Sequence, residues 1–224
     1  MSGKEIVVPA AGSTLSSLWS EAPNARAVVV VAHGANNDMR HPFLEGVAHG
    51  LVGERISVLR FNFPYRNAGR GYPDRPPVLT KAWRHALEEA RLRAGGLPVV
   101  ASGKSLGGRM ASVLAAEDPE RFGAKAIVFF AYPLHAPGRP ERLRDAHLDS
   151  IRVPMLLIEG TADPLARFDL IEDVARRLEG RATLLVVEGA DHSFRVRARK
   201  RPDEEIGREL GEMAAAWIGE AVHR

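Results

Sequence analysis

The stretch from position 99 to 108, Val-Val-Ala-Ser-Gly-Lys-Ser-Leu-Gly-Gly, constrains this chain more than any other. An apolar, β-branched run leads into a tight turn with Ser105 at its tip, and a helical pattern follows over residues 109–116. On so sharp a strand-to-helix corner the residues two before and two after the serine crowd each other, so both must be small. Gly103 and Gly107 meet that need, and Gly108 lets the helix lie close to the strand. A pattern of three fixed positions in five recurs by chance, so the rest of the chain decides what Ser105 does.

Around this corner the chain alternates strand and helix patterns. Residues 4–8 and 14–20 read as two short strands joined by a turn at 10–13, an antiparallel start to a sheet. Residues 26–32 form a continuous apolar run, as expected of a strand buried on both faces, and it ends in His33-Gly34-Ala35-Asn36-Asn37. A helix over 42–52 with Pro42 in its first turn precedes a strand over 56–63. An irregular, proline-rich stretch over 64–77 leads to an amphipathic helix over 78–93, closed by Gly95-Gly96. After the Ser105 corner come a strand at 126–131, a short helix at 140–148 and a strand at 155–159. A helix at 165–178, a strand at 182–187 and a final helix at 203–220 complete the pattern. Such alternation implies a mostly parallel sheet with helices on both faces and right-handed crossovers. Without an internal repeat or linker, residues 1–224 read as one domain.

Composition narrows the chemistry. The 224 residues contain no cysteine, so a disulfide framework, a thiolate metal site and a cysteine nucleophile are excluded. The first residues carry no apolar segment long enough for a signal peptide. No apolar run approaches the ~20 residues that cross a bilayer. A cytoplasmic protein with no membrane partner is the expectation. The net charge of +3 and the single dense basic run, Arg195 to Arg201, offer no broad basic face. Nucleic acid is therefore not an expected partner, and the run reads as a solvated loop.

In a parallel sheet flanked by helices the ligand site lies beyond the carboxyl ends of the strands. Four polar loops fall there, at 33–37, 103–107, 160–163 and 190–193. Ser105, Asp163 and His192 each follow an apolar run, in the chain order nucleophile, acid, histidine. A serine hydroxyl is a weak nucleophile and needs a base within hydrogen-bond reach. His192 fits that role, and Asp163 would set its tautomer and stabilise the imidazolium. The Leu106 N–H and an N–H of the His33-Gly34-Ala35 loop, that of Ala35, are candidate donors to a developing oxyanion. His33 and Gly34 would support that loop.

Competing readings are weaker. Ser105 could cap the following helix. In a phosphate-binding loop the first glycine would fall at Pro98. Asp163 could cap the helix after Pro164, and Asp191 is an alternative acid. As the neighbour of His192 in an extended loop, Asp191 would point away, so Asp163 is preferred. His41, His49, His85, His147 and His223 are isolated and read as structural or surface residues. No set of histidines and carboxylates has metal-binding spacing, and no cofactor is called for.

Several longer motifs carry a family resemblance: Arg60-Phe61-Asn62-Phe63-Pro64-Tyr65, Pro73-Asp74-Arg75-Pro76-Pro77-Val78-Leu79, Tyr132-Pro133-Leu134-His135-Ala136-Pro137-Gly138 and Gly160-Thr161-Ala162-Asp163-Pro164. From about residue 27 onward the chain resembles a small α/β-hydrolase-like family that includes testis-expressed protein thirty and a domain of a chromatin-complex subunit. It is more distantly similar to dienelactone hydrolases. The resemblance implies an α/β-hydrolase fold with no large cap domain, and by position it assigns nucleophile, acid and base to Ser105, Asp163 and His192. Dienelactone hydrolases use a cysteine nucleophile, whereas this chain has Ser105.

The function expected is hydrolysis of carboxylic ester or thioester bonds in small acyl substrates through an acyl-enzyme. The alternative is a protein-interaction module that keeps the fold without the activity. The oligomeric state is not legible. Lys104, Arg66 and Tyr132 are candidates for contact with substrate. Arg60, Arg66, Arg70, Arg75, Lys104 and Arg109 make the surroundings rich in cations, which read mainly as solvated or paired with Asp74, Glu88 and Glu89. The sharper reading is a preference for acidic esters.

Overall fold

A computed structural model describes residues 3–10 and 13–222. The expected turn at 10–13 falls partly outside them, as does His223. Eight strands form one sheet: β1 (Lys4–Ala10), β2 (Ser13–Ser20), β3 (Ala27–Ala32), β4 (Ile56–Phe61), β5 (Val99–Lys104), β6 (Ile127–Phe130), β7 (Met155–Gly160) and β8 (Ala182–Val187). Their spatial order is β1-β2-β4-β3-β5-β6-β7-β8. β1 and β4 run antiparallel to β2, and every later pairing is parallel.

The helices are α1 (Pro42–Gly53), α2 (Pro64–Asn67), α3 (Pro76–Ala94), α4 (Leu106–Glu117), α5 (Phe168–Arg177) and α6 (Asp203–Ala221). Successive strand residues face opposite sides of a sheet, so β3 feeds two cores. Val28 and Val30 pack with Trp83 and Leu87 of α3 and Met110 and Leu114 of α4. Val29 and Val31 pack with Leu44 and Val47 of α1 and Leu210 and Ile218 of α6. The doubly covered sheet inferred from the apolar runs is the observed one.

α1 and α6 approach until their backbones touch. A Cβ built on Gly46 would stand 1.9 Å from the Glu204 carbonyl oxygen, and one on Gly207 would stand 2.0 Å from the Phe43 oxygen. This contact fixes the helix that follows the β3 loop against the helix that follows the β8 loop.

Several elements differ from expectation; α5, for one, begins at Phe168 rather than at 165. No helix forms over 140–148; a short 3₁₀ turn, Ala146–Ser150, takes its place. The segment before it is held instead by tertiary bonds, from the Arg144 N–H to the Leu134 carbonyl and from the Tyr132 hydroxyl to the Arg144 carbonyl. The proline-rich stretch after β4 opens with α2, Pro64 occupying a first-turn position where its missing N–H costs nothing. α4 begins at Leu106, three residues earlier than the periodicity suggests, because the Ser105 carbonyl already accepts the Arg109 N–H.

Candidate active site

Ser105 is held on the corner between β5 and α4 with φ 50° and ψ −115°, a conformation that costs a non-glycine residue free energy and persists only where the surroundings enforce it. Its N–H donates to the Phe130 carbonyl at 3.0 Å. Both glycines of the motif are crowded by backbone. A Cβ on Gly103 would lie 2.4 Å from the Gly108 nitrogen, whereas one on Gly107 would lie 2.5 Å from the Ala32 oxygen at the end of β3. Gly107 thus presses the corner against the neighbouring strand, and its own backbone carbon would stand 2.5 Å from a Cβ on Gly103, so the two positions also crowd each other.

Asp163 and His192 come from adjacent loops that are locked together. A Cβ on Gly160 would stand 2.2 Å from the Ala190 oxygen, and the Ala162 N–H donates to that oxygen at 2.9 Å. The Asp163 side chain is fully buried and one of its oxygens accepts the Leu165 N–H at 2.7 Å. The other oxygen lies 2.6 Å from His192 Nδ1, and His192 Nε2 lies 2.9 Å from Ser105 Oγ. Geometry sets the proton positions: with an ionised carboxylate on Nδ1, that nitrogen carries the hydrogen and Nε2 accepts from the serine. Asp191 has another task. Its Oδ1 accepts the Ser193 N–H at 2.8 Å and the Arg195 N–H at 3.0 Å, which shapes the histidine loop.

The loop after β3 faces the same corner. The His33 ring is fully buried and burial lowers its pKa to about 4. Its Nε2 accepts the Phe63 N–H at 3.1 Å, so the ring hydrogen sits on Nδ1, which donates to the Gly34 carbonyl at 2.8 Å. His33 is a neutral brace between the β3 and β4 loops. Tyr65, which sequence reasoning did not single out, adds a second brace by donating to the Ala35 carbonyl at 2.7 Å. The Ala35 and Leu106 N–H groups donate to no acceptor among the described residues.

The three side chains expected at substrate separate here. Lys104 does not enter the cleft: it is buried, and its ammonium donates to the His192 backbone carbonyl. The alternation of β5 turns it away from the serine it precedes, beneath the histidine loop. Tyr132 is also fully buried, its ring edge-on to Phe129 and its hydroxyl spent on Arg144. These two expectations are corrected. Arg66 remains partly exposed beside the β3 loop, 3.8 Å from Asp38.

Of the remaining cations Arg60 and Arg70 are engaged, whereas Arg75 is exposed and the buried Arg109 Nε has no hydrogen-bond partner among the described residues. Arg60 is fully buried, donates to the Met39 carbonyl at 3.0 Å and lies 3.7 Å from Glu45. Arg70 pairs with Asp74, as anticipated, but Glu89 pairs with Arg93 and Glu88 lies against His85. In the basic run, Arg195 forks onto Asp203 at 2.8 and 2.9 Å and Arg201 bridges Glu205 and Glu209. Of the other histidines, His41 caps α1, and His147 Nε2 lies 2.8 Å from Ser112 Oγ. That second serine–histidine pair is no nucleophile, because Ser112 is fully buried within α4 and also donates to its own helix at Arg109.

Glu159 is the other residue the sequence reading passed over. It is fully buried in β7, one oxygen accepts the Tyr132 N–H, and burial raises its pKa well above the usual carboxylate range. The signal was present: it is the one charge in the run Met-Leu-Leu-Ile-Glu-Gly. Among the described residues no group of three or more histidine and carboxylate side chains is arranged to hold a metal ion, and no helix is long and apolar enough to cross a membrane.

Comparison with solved structures gives the same architecture. A lidless α/β serine hydrolase from Xanthomonas campestris superposes with a TM-score of 0.76 at 19% identity, over 96% of this chain and 94% of that one. Dienelactone hydrolase from Anabaena variabilis gives 0.76 at 22%, over 98% of each chain. Est1E from Butyrivibrio proteoclasticus, solved with ferulic acid bound, gives 0.72 at 14%, over 98% of this chain and all of that one. At such identities the likeness is one of fold. The family model described as "Alpha/beta hydrolase domain" matches residues 25–219, nearly the whole chain and all four loops around Ser105, and the chain belongs to that family.

Proposed function

We propose that this chain is a serine hydrolase that cleaves carboxylic ester or thioester bonds of small acyl substrates. The observation that carries the reading is the unbroken run of hydrogen bonds from Asp163 through His192 to Ser105. The relatives described as a serine hydrolase and a dienelactone hydrolase agree with it in kind. The motifs at 60–65, 73–79 and 132–138 further ally the chain with the small group that includes testis-expressed protein thirty.

On this reading Ser105 Oγ attacks the acyl carbon while its proton passes to His192 Nε2. The Leu106 and Ala35 N–H groups donate to the oxyanion of the tetrahedral intermediate. Asp163 holds the hydrogen on Nδ1 and stabilises the imidazolium. His192 then protonates the departing alkoxide or thiolate, leaving an acyl ester on Ser105. A water that gives its proton to His192 attacks that ester, and the proton returns to Ser105 as the carboxylic acid leaves. Every step uses groups of the chain itself and water.

A fluorophosphonate probe tests the reading by forming a stable adduct with an activated serine. Wild-type protein labelled at Ser105, with labelling abolished in Ser105→Ala, supports it. A folded wild type that resists the probe and hydrolyses no ester or thioester in a panel of short acyl substrates would mean an interaction module.

A further inference from the structure

Lys104 immediately precedes the serine, yet its side chain serves three other parts of the site. Its stem passes beneath the β3 loop, where a Cβ built on Gly34 would lie 3.8 Å from Lys104 Cγ. Its ammonium stands 5.4 Å from the centre of the Phe194 ring and donates to the His192 carbonyl. The carboxylates facing it are Asp163 beyond β7, Glu159 within β7 and Asp191 in the histidine loop. His41, at the head of α1, lies within its electrostatic reach.

We propose that Lys104 is a positioning residue for His192: its ammonium pins the loop that carries the imidazole and offsets the buried charge of Asp163, so that loss of its proton loosens the histidine and gives the enzyme an alkaline limb. The inference rests on the serine-hydrolase reading of the same site. A charge-assisted hydrogen bond is roughly twice as strong as a neutral one. Removing the ammonium therefore weakens the hold on His192 and takes away a positive charge that faces the buried Asp163 side chain. Burial pushes the Glu159 carboxyl well above the usual carboxylate range. Burial brings the Lys104 pKa down to about 8, so the switch falls in an accessible range.

A purely structural lysine makes a different prediction. The unfolded chain binds the Lys104 proton more tightly than the folded one, so this group's contribution to stability rises from about pH 8 to about 10.5. Activity lost in that window is not the result of Lys104 unfolding the protein.

The experiment compares wild type, Lys104→Met and Lys104→Arg. It reads kcat and KM on p-nitrophenyl acetate from about pH 6 to about pH 10, the fluorophosphonate labelling rate, and the proton resonance of His192 Nδ1. Wild type should lose kcat above about pH 8 while remaining folded by circular dichroism. Lys104→Met should lose about 10- to 100-fold in kcat at neutral pH, the scale of a small misplacement of a catalytic group. Its KM should change little and its alkaline limb should vanish. Lys104→Arg should recover most of the rate and move the limb upward. A Lys104→Met rate within twofold of wild type, or the wild-type limb in both variants, overturns the inference. If Lys104→Met does not fold, an unmoved limb in Lys104→Arg overturns it alone. Failure of wild type to label overturns the hydrolase reading instead. In that event a His192 resonance that shifts near pH 8 in wild type but not in Lys104→Arg still supports the positioning role, and its absence overturns it.

Discussion

The Tyr65 hydroxyl donates to the Ala35 carbonyl at 2.7 Å and so ties the start of α2 to the loop that faces Ser105. The Ala35 N–H, the proposed oxyanion donor, belongs to the peptide just before that carbonyl, so this bond restrains it. Tyr65→Phe should lower kcat on a p-nitrophenyl ester by about tenfold with KM nearly unchanged. Stability should fall by only about 1 kcal/mol, the net worth of one hydrogen bond. Steady-state kinetics with a thermal melt separates the two effects.

The two aspartates beside His192 should respond in opposite ways to the same change. Asp163→Asn leaves a neutral amide on His192 Nδ1, favours the wrong tautomer, and should cost on the order of 10⁴ in kcat. Asp191→Asn keeps an oxygen for the Ser193 and Arg195 N–H groups, and should stay within a few-fold of wild type. Equal losses in the two variants would sink the assignment of the acid.

What could be read from the chain alone follows from where its chemistry lies. Ser105, Asp163 and His192 each stand just beyond an apolar run, and a parallel sheet gathers such ends on one side. The direction of a side chain is less legible. Lys104 looks like a cation at the nucleophile because sequence cannot show that carboxylates from β7 and the histidine loop, far along the chain, converge beneath it. Arg60 and Tyr132 mislead for the same reason: each is buried because distant backbone carbonyls, those of Met39 and Arg144, accept its hydrogens. The helix expected at 140–148 fails because the Arg144 N–H bonds across to Leu134 and the local bonds, from Arg142 to Arg139 and from Leu148 to Asp145, close only single turns.

His33 should make the fold sensitive to mild acid. Its ring is neutral with both nitrogens committed, and burial takes its pKa from 6.5 to about 4. The folded pKa is depressed, so between those values the unfolded chain binds more protons and stability is lost as pH falls. The shift corresponds to about 3 kcal/mol. His33→Gln should be less stable than wild type at pH 7, and the gap should narrow by about that amount at pH 4. Urea denaturation of both proteins across the range measures it.

The crossing of α1 and α6 predicts a contrast between glycines of one helix. At Gly46 a methyl group would meet the Glu204 carbonyl at 1.9 Å, backbone against backbone, so Ala can be accommodated only by moving one helix off the other. Overpacking of this kind typically costs about 1–3 kcal/mol, and here no flexible side chain can absorb it. Gly53, at the end of the same helix, has nothing within 4 Å of the position a Cβ would take. Gly53→Ala should therefore be neutral or slightly stabilising, since alanine favours the helix by up to about 1 kcal/mol. Because α1 follows the β3 loop and α6 follows the histidine loop, Gly46→Ala should also lower the fluorophosphonate labelling rate while the protein is still folded. Gly53→Ala should leave that rate unchanged. A Gly46→Ala protein that melts with wild type and labels at the wild-type rate would show that the helices separate without strain and that their spacing does not reach the site.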